Sequence, residues 1–222
     1  LKERSKLLAG ARALPAEAVR PGQPPFDRTM AHPPGLTPEL PSTSHFSIVD
    51  ADGNVVSMTT TIENGFGSRL MVRGFLLNNE LTDFSFLPER DGRPVANRVE
   101  PGKRPRSSMA PVIVLKDGEP YLVLGSPGGS RIIGFVAQAL IAVLDWRMPL
   151  DQAMAMPHLV NRFGVFEVEA GTPAERLAPA LEALGYEIGL AEMSSGLNAI
   201  RLVDGVIEGT ADPRREGVAL GQ

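Results

Sequence analysis

Between Pro15 and Pro41 the chain carries Pro21, Pro24, Pro25, Pro33, Pro34 and Pro38. Each ring fixes φ and removes a backbone donor, so neither a helix nor a sheet ladder runs through such a stretch. The segment reads as an extended connector, and an ordered fold has to be built almost wholly from the residues C-terminal to it. The connector stops at Ser42-Thr43-Ser44-His45-Phe46-Ser47-Ile48-Val49-Asp50, where apolar and polar residues begin to alternate. Thr43 sits at that junction. A hydroxyl is a weak nucleophile until a base takes its proton, and a freed α-amine, with a reference pKa of about 7.7 to 8.0, can be that base. A cut ahead of Thr43 would therefore place attacking group and base on one residue. A threonine ahead of a strand is also an ordinary cap or strand-edge residue, and alone it decides nothing.

At 222 residues, 43% apolar and 22% charged, the chain is long enough for a full hydrophobic core, as one large domain or two small ones. A net charge of -4 leaves no basic footprint for nucleic acid or an anionic membrane surface. No apolar run reaches a spanning length of about 18 residues, so the expected partners are a small molecule or another protein chain. With no cysteine there is no disulfide framework, thiolate metal site or cysteine nucleophile. Leu1 opens on charged residues rather than a leader, and its place in lieu of methionine suggests that the natural start lies elsewhere. The compartment stays open between cytoplasm and periplasm, leaning to the cytoplasm.

Residues 1 to about 14 suit a short helix. From Ser44 the alternation Phe46, Ile48, then Val56 and Met58 after Asp50-Ala51-Asp52-Gly53-Asn54, predicts a hairpin. A second hairpin is predicted from Val112-Ile113-Val114-Leu115 and Tyr121-Leu122-Val123-Leu124, joined through Lys116-Asp117-Gly118; its near-continuous apolar runs predict strands buried on both faces. Ser126-Pro127-Gly128-Gly129-Ser130-Arg131 comes next, then an apolar stretch from Ile132 to Trp146 with the pattern of a buried helix. Strand, glycine turn and helix together aim backbone N–H groups at a helix N-terminus, where developing negative charge is stabilised. Further helices are expected at Leu150 to Met156 and Pro173 to Leu184. Further strands are expected at Val165 to Val168, Glu187 to Leu190, Leu197 to Val203 and Val206 to Glu208, the last two turning through Asp204-Gly205.

Four segments carry candidate chemistry, each with a plainer competitor. Thr43 with His45 and Phe46 is the first. Thr59-Thr60-Thr61-Ile62-Glu63-Asn64-Gly65 is the second, although threonine is a good strand former. Asn78-Asn79-Glu80-Leu81-Thr82-Asp83 either caps a helix or holds a substrate ammonium group. In the fourth, Ser107-Ser108 suits a carboxylate and Gly128-Gly129 an oxyanion, while a glycine pair by itself is a weak signal. His158, between Pro157 and Leu159, has no second ligand in view and reads as structural.

Taken together and in order, Thr43-Ser44-His45-Phe46-Ser47-Ile48-Val49-Asp50, Asp52-Gly53-Asn54, Phe66-Gly67, Leu77-Asn78-Asn79-Glu80, Asp83-Phe84, Pro101-Gly102-Lys103-Arg104-Pro105, Ser107-Ser108-Met109, Gly125-Ser126-Pro127-Gly128-Gly129-Ser130-Arg131 and Ala211-Asp212-Pro213-Arg214 resemble the gamma-glutamyltransferase (gamma-glutamyltranspeptidase) family of N-terminal nucleophile hydrolases. The resemblance covers about residues 43 to 215. It implies an α+β fold, the αββα four-layer sandwich in its small-subunit portion, with residues 1–42 as the tail of a large subunit and 43–222 as the catalytic small subunit. It implies self-cleavage of the Ser42-Thr43 bond, after which Thr43 attacks a substrate amide. Thr61 matches the threonine whose hydroxyl contacts the nucleophile, and Gly128 and Gly129 match the oxyanion-hole glycines. Ser107 and Ser108 match the pair that holds the glutamyl α-carboxylate, and Glu80 and Asp83 match positions for the α-amino group.

The implied reaction is acyl transfer to water or a second amine, with no metal or cofactor. The implied partners are the large subunit of the same precursor, in a heterodimer or heterotetramer, and a small-molecule amide or gamma-glutamyl substrate. Glu63 stands where the family commonly carries an asparagine; a carboxylate there favours a cation and repels an anion. That departure points to a gamma-glutamyltransferase-like hydrolase whose donor extends to another amide, such as oxamate or an acylated amine. The run from Gly67 to Gly74 is short for the loop material that covers the site in typical members. Only the last forty or so residues of a large subunit precede Thr43, so this stretch is not expected to be a complete enzyme by itself. A catalytically silent or truncated, unprocessed family member that binds a ligand or partner without turnover is the alternative.

Overall fold

The computed structural model describes residues 2–15, 18–20, 22, 42–162 and 164–221, so most of the proline-rich connector lies outside the described residues. The first described residues form a short helix, α1 (Lys2–Ser5), and a 3-10 turn over Lys6–Ala9, so the helix expected to about residue 14 ends at Ala9. The first long hairpin is β1 (Thr43–Val49) against β2 (Val55–Thr61). The Asp50 carboxylate closes its turn by accepting the backbone N–H groups of Asp52 at 2.9 Å and Asn54 at 2.8 Å, and the Asn54 side-chain amide at 2.8 Å. Those bonds, with the Asn54 side chain foremost, hold the Asp50 carboxyl below its usual range. The register pairs Thr43 with Thr61, Phe46 with Met58 and Ile48 with Val56.

Two short hairpins come next, β3 (Met71–Val72) with β4 (Phe75–Leu76) and β5 (Glu89–Arg90) with β6 (Arg93–Pro94), separated by a 3-10 turn over Glu80–Asp83. The second long hairpin is β7 (Val112–Lys116) and β8 (Glu119–Gly125). A 3-10 turn at Gly129–Arg131 then opens α2 (Ile132–Leu144), succeeded by α3 (Leu150–Ala155), β9 (Leu159–Asn161) and β10 (Phe166–Glu169). The helix expected from Pro173 to Leu184 is two pieces, a 3-10 turn over Pro173–Leu177 and α4 (Ala178–Ala183). Pro179 has no N–H to bond back across the junction, which is why the two do not merge. The chain closes with β11 (Ile188–Ala191), β12 (Asn198–Val203) and β13 (Val206–Ala211).

A four-stranded antiparallel sheet in the order β13-β12-β8-β7 is the centre of the molecule. On one face α2 and α3 bury Ile132, Val136, Ala139, Val143, Leu150 and Met154 against Leu122, Leu124 and Leu197. The buried positions of α2 recur at three- and four-residue spacing, one stripe of a helix. The β1–β2 hairpin packs on the other face, where the Ser57 hydroxyl donates to the Leu124 carbonyl at 3.1 Å and the Asn198 amide to the His45 carbonyl at 2.8 Å. Hairpin, sheet and helices give three consecutive layers of an α+β sandwich. The outward face of the hairpin, with Phe46, Ile48, Val56 and Met58, is exposed among the described residues.

The expectation for the second hairpin holds for only one of its strands. Leu122, Val123 and Leu124 of β8 are fully buried, but Ile113 and Leu115 of β7 are exposed, because β7 is the outer strand of the sheet and only its inward residues meet the core. The short strands β3 to β6 and β9 leave no mark in the sequence; two or three residues are too few to show a period of two.

The C-terminal residues are held by a buried polar network. Asp212, 1% exposed, accepts hydrogen bonds from the Ser195 hydroxyl, from Arg214 N at 2.9 Å and from Arg214 Nη1 at 3.0 Å. Arg214 also grips Glu169 through Nε at 2.6 Å and Nη2 at 2.8 Å, and Glu169 accepts the His158 backbone N–H at 2.8 Å. The network is intact only while each charge has its partner, and removing one from a buried set costs about 3–5 kcal/mol. Asp212→Ala is expected to lower unfolding free energy by about that amount, measured by urea titration; a loss under about 1 kcal/mol would mark the network as dispensable.

Candidate functional site

Eight of the residues singled out in the sequence line one cavity of about 60 Å³: Thr43, Thr61, Glu63, Glu80, Asp83, Ser107, Ser108 and Gly129. Arg106, Met109, Ser130 and Ile132 complete the wall. A larger groove of about 760 Å³ adjoins it through the shared residues Thr61, Glu80, Arg106, Ser107 and Met109. Gly128 stands just behind the wall. Its φ of 141° is closed to ordinary side chains, and a Cβ there would lie 2.6 Å from the Phe135 ring.

Each group arrives on a different element. Thr43 and Thr61 are cross-strand partners at the open end of the hairpin, and Thr43 is buried. The Thr61 hydroxyl donates to the Ser42 carbonyl at 3.2 Å and accepts the Glu63 backbone N–H at 2.9 Å. That second bond holds Glu63 at a φ of 69°, a left-handed conformation unusual for glutamate. The Glu63 carboxylate is itself buried and accepts a hydrogen bond from the Asn79 amide, whose Nδ2 also donates to Thr82 Oγ1 at 3.0 Å. The 3-10 turn at Glu80–Asp83 brings two more carboxyls into the same wall. Asn79 precedes that turn without a side-chain cap bond and serves Glu63 instead, while Asn78 Oδ1 accepts the Glu80 N–H at 3.0 Å, so the capping reading of this segment holds for Asn78 and not for Asn79.

Burial first, then the neighbouring charges of Asp83 and Glu63, pushes the Glu80 carboxyl up to about 7, and its Oε1 has no hydrogen-bond partner among the described residues. Three carboxyl groups around one small space cannot all ionise cheaply without a cation between them. Ser107 and Ser108 line the same cavity as Gly129 of the glycine turn, with Arg106 beside them in the chain. Asn97, which the sequence did not single out, ties Asp83 to Arg106: its amide donates to the Asp83 carbonyl at 2.6 Å and its Oδ1 accepts the Arg106 N–H at 3.0 Å. A lone asparagine in an irregular stretch carries no pattern by which it could have been found.

The glycine turn is braced from outside the cavity. Arg131 donates to Glu167 through Nε at 3.0 Å and Nη2 at 2.6 Å, and the Ser126 hydroxyl donates to the Pro127 carbonyl at 2.6 Å while accepting the Gly196 N–H at 3.2 Å. His158 lies away from the cavity. Its Nε2 is 2.6 Å from Ser195 Oγ, and its ring packs on Phe135 with centroids 4.1 Å apart. Burial, with Arg214 nearby, pulls its imidazole down to about 4.

The family model described as gamma-glutamyltranspeptidase matches residues 1–222. The chain is 38% identical over 232 residues to the glutathione hydrolase proenzyme of Pseudomonas aeruginosa, covering 99% of this chain and 39% of that one. It is 37% identical over 186 residues to the acylase ACY 1 proenzyme of Pseudomonas sp. strain SE83, covering 82% of this chain and 32% of that one. Among solved structures it is similar to the gamma-glutamyltranspeptidase from Pseudomonas nitroreducens complexed with L-DON, with a TM-score of 0.71 and 39% identity over 80% of this chain and 98% of that chain. The fold is thus that of the solved gamma-glutamyltranspeptidases. The chain is a member of the gamma-glutamyltranspeptidase family. It spans about two fifths of the length of the P. aeruginosa relative.

The Glu80 carboxyl also fixes a pH dependence. Its pKa in the folded protein, about 7, lies above the ordinary glutamate value of 4.5, so between those values the native state holds a proton that the unfolded chain has lost. Its contribution is therefore full below pH 4.5 and is lost as pH rises towards 7. Glu80→Gln should flatten the decline in melting temperature over that window, measured by calorimetry on the unliganded protein; an unchanged slope would place the Glu80 proton elsewhere.

Proposed function

We propose that this chain is the catalytic portion of a gamma-glutamyl amide hydrolase or acyltransferase whose nucleophile is Thr43, freed by self-cleavage of the Ser42-Thr43 bond. The observation that carries the reading is a single cavity lined together by Thr43, Thr61, Gly129, the serine pair Ser107 and Ser108, and the three carboxyl residues Glu63, Glu80 and Asp83. Residues 1–42 are then the tail of a large subunit and 43–222 the small subunit. The remainder of that large subunit is the partner, and the exposed apolar face of β1–β2 supports a further layer from outside this stretch. A precursor of two subunits agrees with relatives that are named as proenzymes.

In the uncut chain the Thr61 hydroxyl at 3.2 Å from the Ser42 carbonyl draws electron density from the bond to be broken. After cleavage the Thr43 amine takes the proton of its own hydroxyl as Oγ forms a bond to the donor carbonyl carbon. The negative charge that develops on the carbonyl oxygen falls to the N–H groups of Gly128 and Gly129. Collapse breaks the carbon–nitrogen bond, and the leaving amine carries away the proton. Water or a second amine then attacks the threonyl ester and regenerates Thr43. Ser107 and Ser108 hold the donor carboxylate, while Glu63, Glu80 and Asp83 hold its ammonium group.

Those three carboxyls favour a donor that carries a positive charge beside its carboxylate, as a gamma-glutamyl group does. Glu63 and the acylase relative both support extending the donor screen to oxamate, glutathione and acylated amines. Mass spectrometry of the full-length protein is expected to show a new N-terminus at Thr43, and Thr43→Ala is expected to remain uncut and without turnover; an intact chain with undiminished activity would overturn the reading. With the amine as base, kcat/KM should rise through a limb at about pH 6–8. A flat profile over that interval would remove the amine from the role.

A further inference from the structure

The face of the β1–β2 hairpin that meets the four-stranded sheet is polar, formed by His45 and Ser47 on one strand and Ser57 and Thr59 on the other. His45 is the largest of these and has the closest fit. Its Nδ1 lies 2.8 Å from Thr59 Oγ1 and its Nε2 3.2 Å from Ser47 Oγ. Its carbonyl accepts the Asn198 amide at 2.8 Å, and Asn198 is the cross-strand partner of Gly125. The imidazole rests on the bare backbone of Gly125: a Cβ there would lie 2.6 Å from Nε2 and closer still to Cε1. No side chain fits at residue 125 while the ring is in place.

These contacts join the three pieces of chain that bear the reacting groups. His45 is two residues beyond Thr43 and on the same strand face, Thr59 is two residues before Thr61, and Gly125 leads directly into the Gly128–Gly129 turn. Burial pulls the imidazole down to about 4, so at neutral pH the ring is an uncharged spacer.

We propose that His45 is a positioning residue: seated on Gly125 and bonded to Thr59 and Ser47, its ring sets the separation between Thr43 and the Gly128–Gly129 turn. The proposal rests on the reading of Thr43 as nucleophile. Of the groups that bind the donor, Ser107, Ser108, Glu80 and Asp83 stand on segments outside the hydrogen-bonded contacts of the His45 ring, and Glu63 lies beyond the end of β2, four residues past Thr59. A change in the spacer should therefore act on turnover rather than on donor affinity. A misplacement of about 1 Å between reacting groups costs about 10²-fold in rate.

The test uses the full-length precursor and its matured product, with His45→Ala, Gly125→Ala and the double variant carrying both. Each single change is expected to lower kcat by about 10²-fold with KM within about threefold, because either the spacer is gone or a methyl group displaces it. The double variant is expected to recover about tenfold over either single, since the new methyl group partly refills the space the imidazole left. His45→Gln, which keeps a side-chain amide able to reach Thr59, serves if His45→Ala does not fold, and is expected to retain more activity than Gly125→Ala. Single variants with kcat within about threefold of wild type, or losses that simply multiply in the double, would overturn the proposal. A wild-type protein without turnover on any amide would instead bring down the nucleophile reading, and this proposal with it.

Discussion

Asp212 is the charge on which the C-terminal half of the molecule is assembled. Fully enclosed, it needs every bond it receives, and those bonds reach Ser195 ahead of β12 and Arg214 beyond β13. Arg214 carries the connection to Glu169 at the end of β10, and Ser195 carries it to His158. The Ser195 hydroxyl donates to Asp212, so it can only accept from His158 Nε2–H; Nδ1 is then the unprotonated nitrogen, and it has no partner among the described residues. The His158 ring backs Phe135, and Phe135 fills the space under Gly128. A run of packed groups thus joins a C-terminal carboxylate to the glycine turn at the cavity. It explains why Ala211-Asp212-Pro213-Arg214, which lines no part of the cavity, belongs among the family-like segments.

The hairpin that presents Thr43 inverts the usual arrangement of a half-buried sheet. Its polar face is turned inward and its apolar face outward. Alternation in the sequence reveals the strands and their register, because period two is the same whichever side is covered. It does not reveal which side meets the neighbouring sheet. That choice is made by two residues far away in sequence, Gly125, which leaves room for the His45 ring, and Asn198, whose amide donates to the His45 carbonyl. The strand β7 departs from expectation for the related reason that an apolar run describes a strand's affinity for cover, and β7 lies at the sheet margin with cover on one face only.

The site is legible to the extent that its groups sit in ordered local patterns. Thr43 at a composition boundary, three threonines along one strand, a serine pair and a glycine turn between strand and helix all leave marks within a few residues of themselves. Glu63 is legible as a departure from the family pattern. What is not legible are the residues that act across distance: Asn97 joining the cavity walls, Glu167 bracing Arg131, and His45 as a spacer rather than part of a motif. Their roles are set by tertiary contacts between segments tens of residues apart, for which a single sequence holds no period or spacing.

Glu63 shows how the two kinds of information meet. Its backbone is left-handed, where asparagine or glycine is more at ease, and its side chain is buried near two other carboxyls. Both conditions cost free energy, and the fold offsets them locally: the Thr61 hydroxyl takes the Glu63 N–H and the Asn79 amide takes its carboxylate. Thr61 thereby serves the charged wall and the Ser42 carbonyl with one hydroxyl, donating to the carbonyl and accepting from the amide. Electron density drawn from Thr61 Oγ1 by the Glu63 N–H makes that hydroxyl a better donor to the carbonyl, since hydrogen bonds in a chain polarise one another. The strained carboxylate and the bond at Ser42 are consequently coupled through a single oxygen atom, and a change in the backbone at Glu63 reaches Thr43 without crossing the cavity.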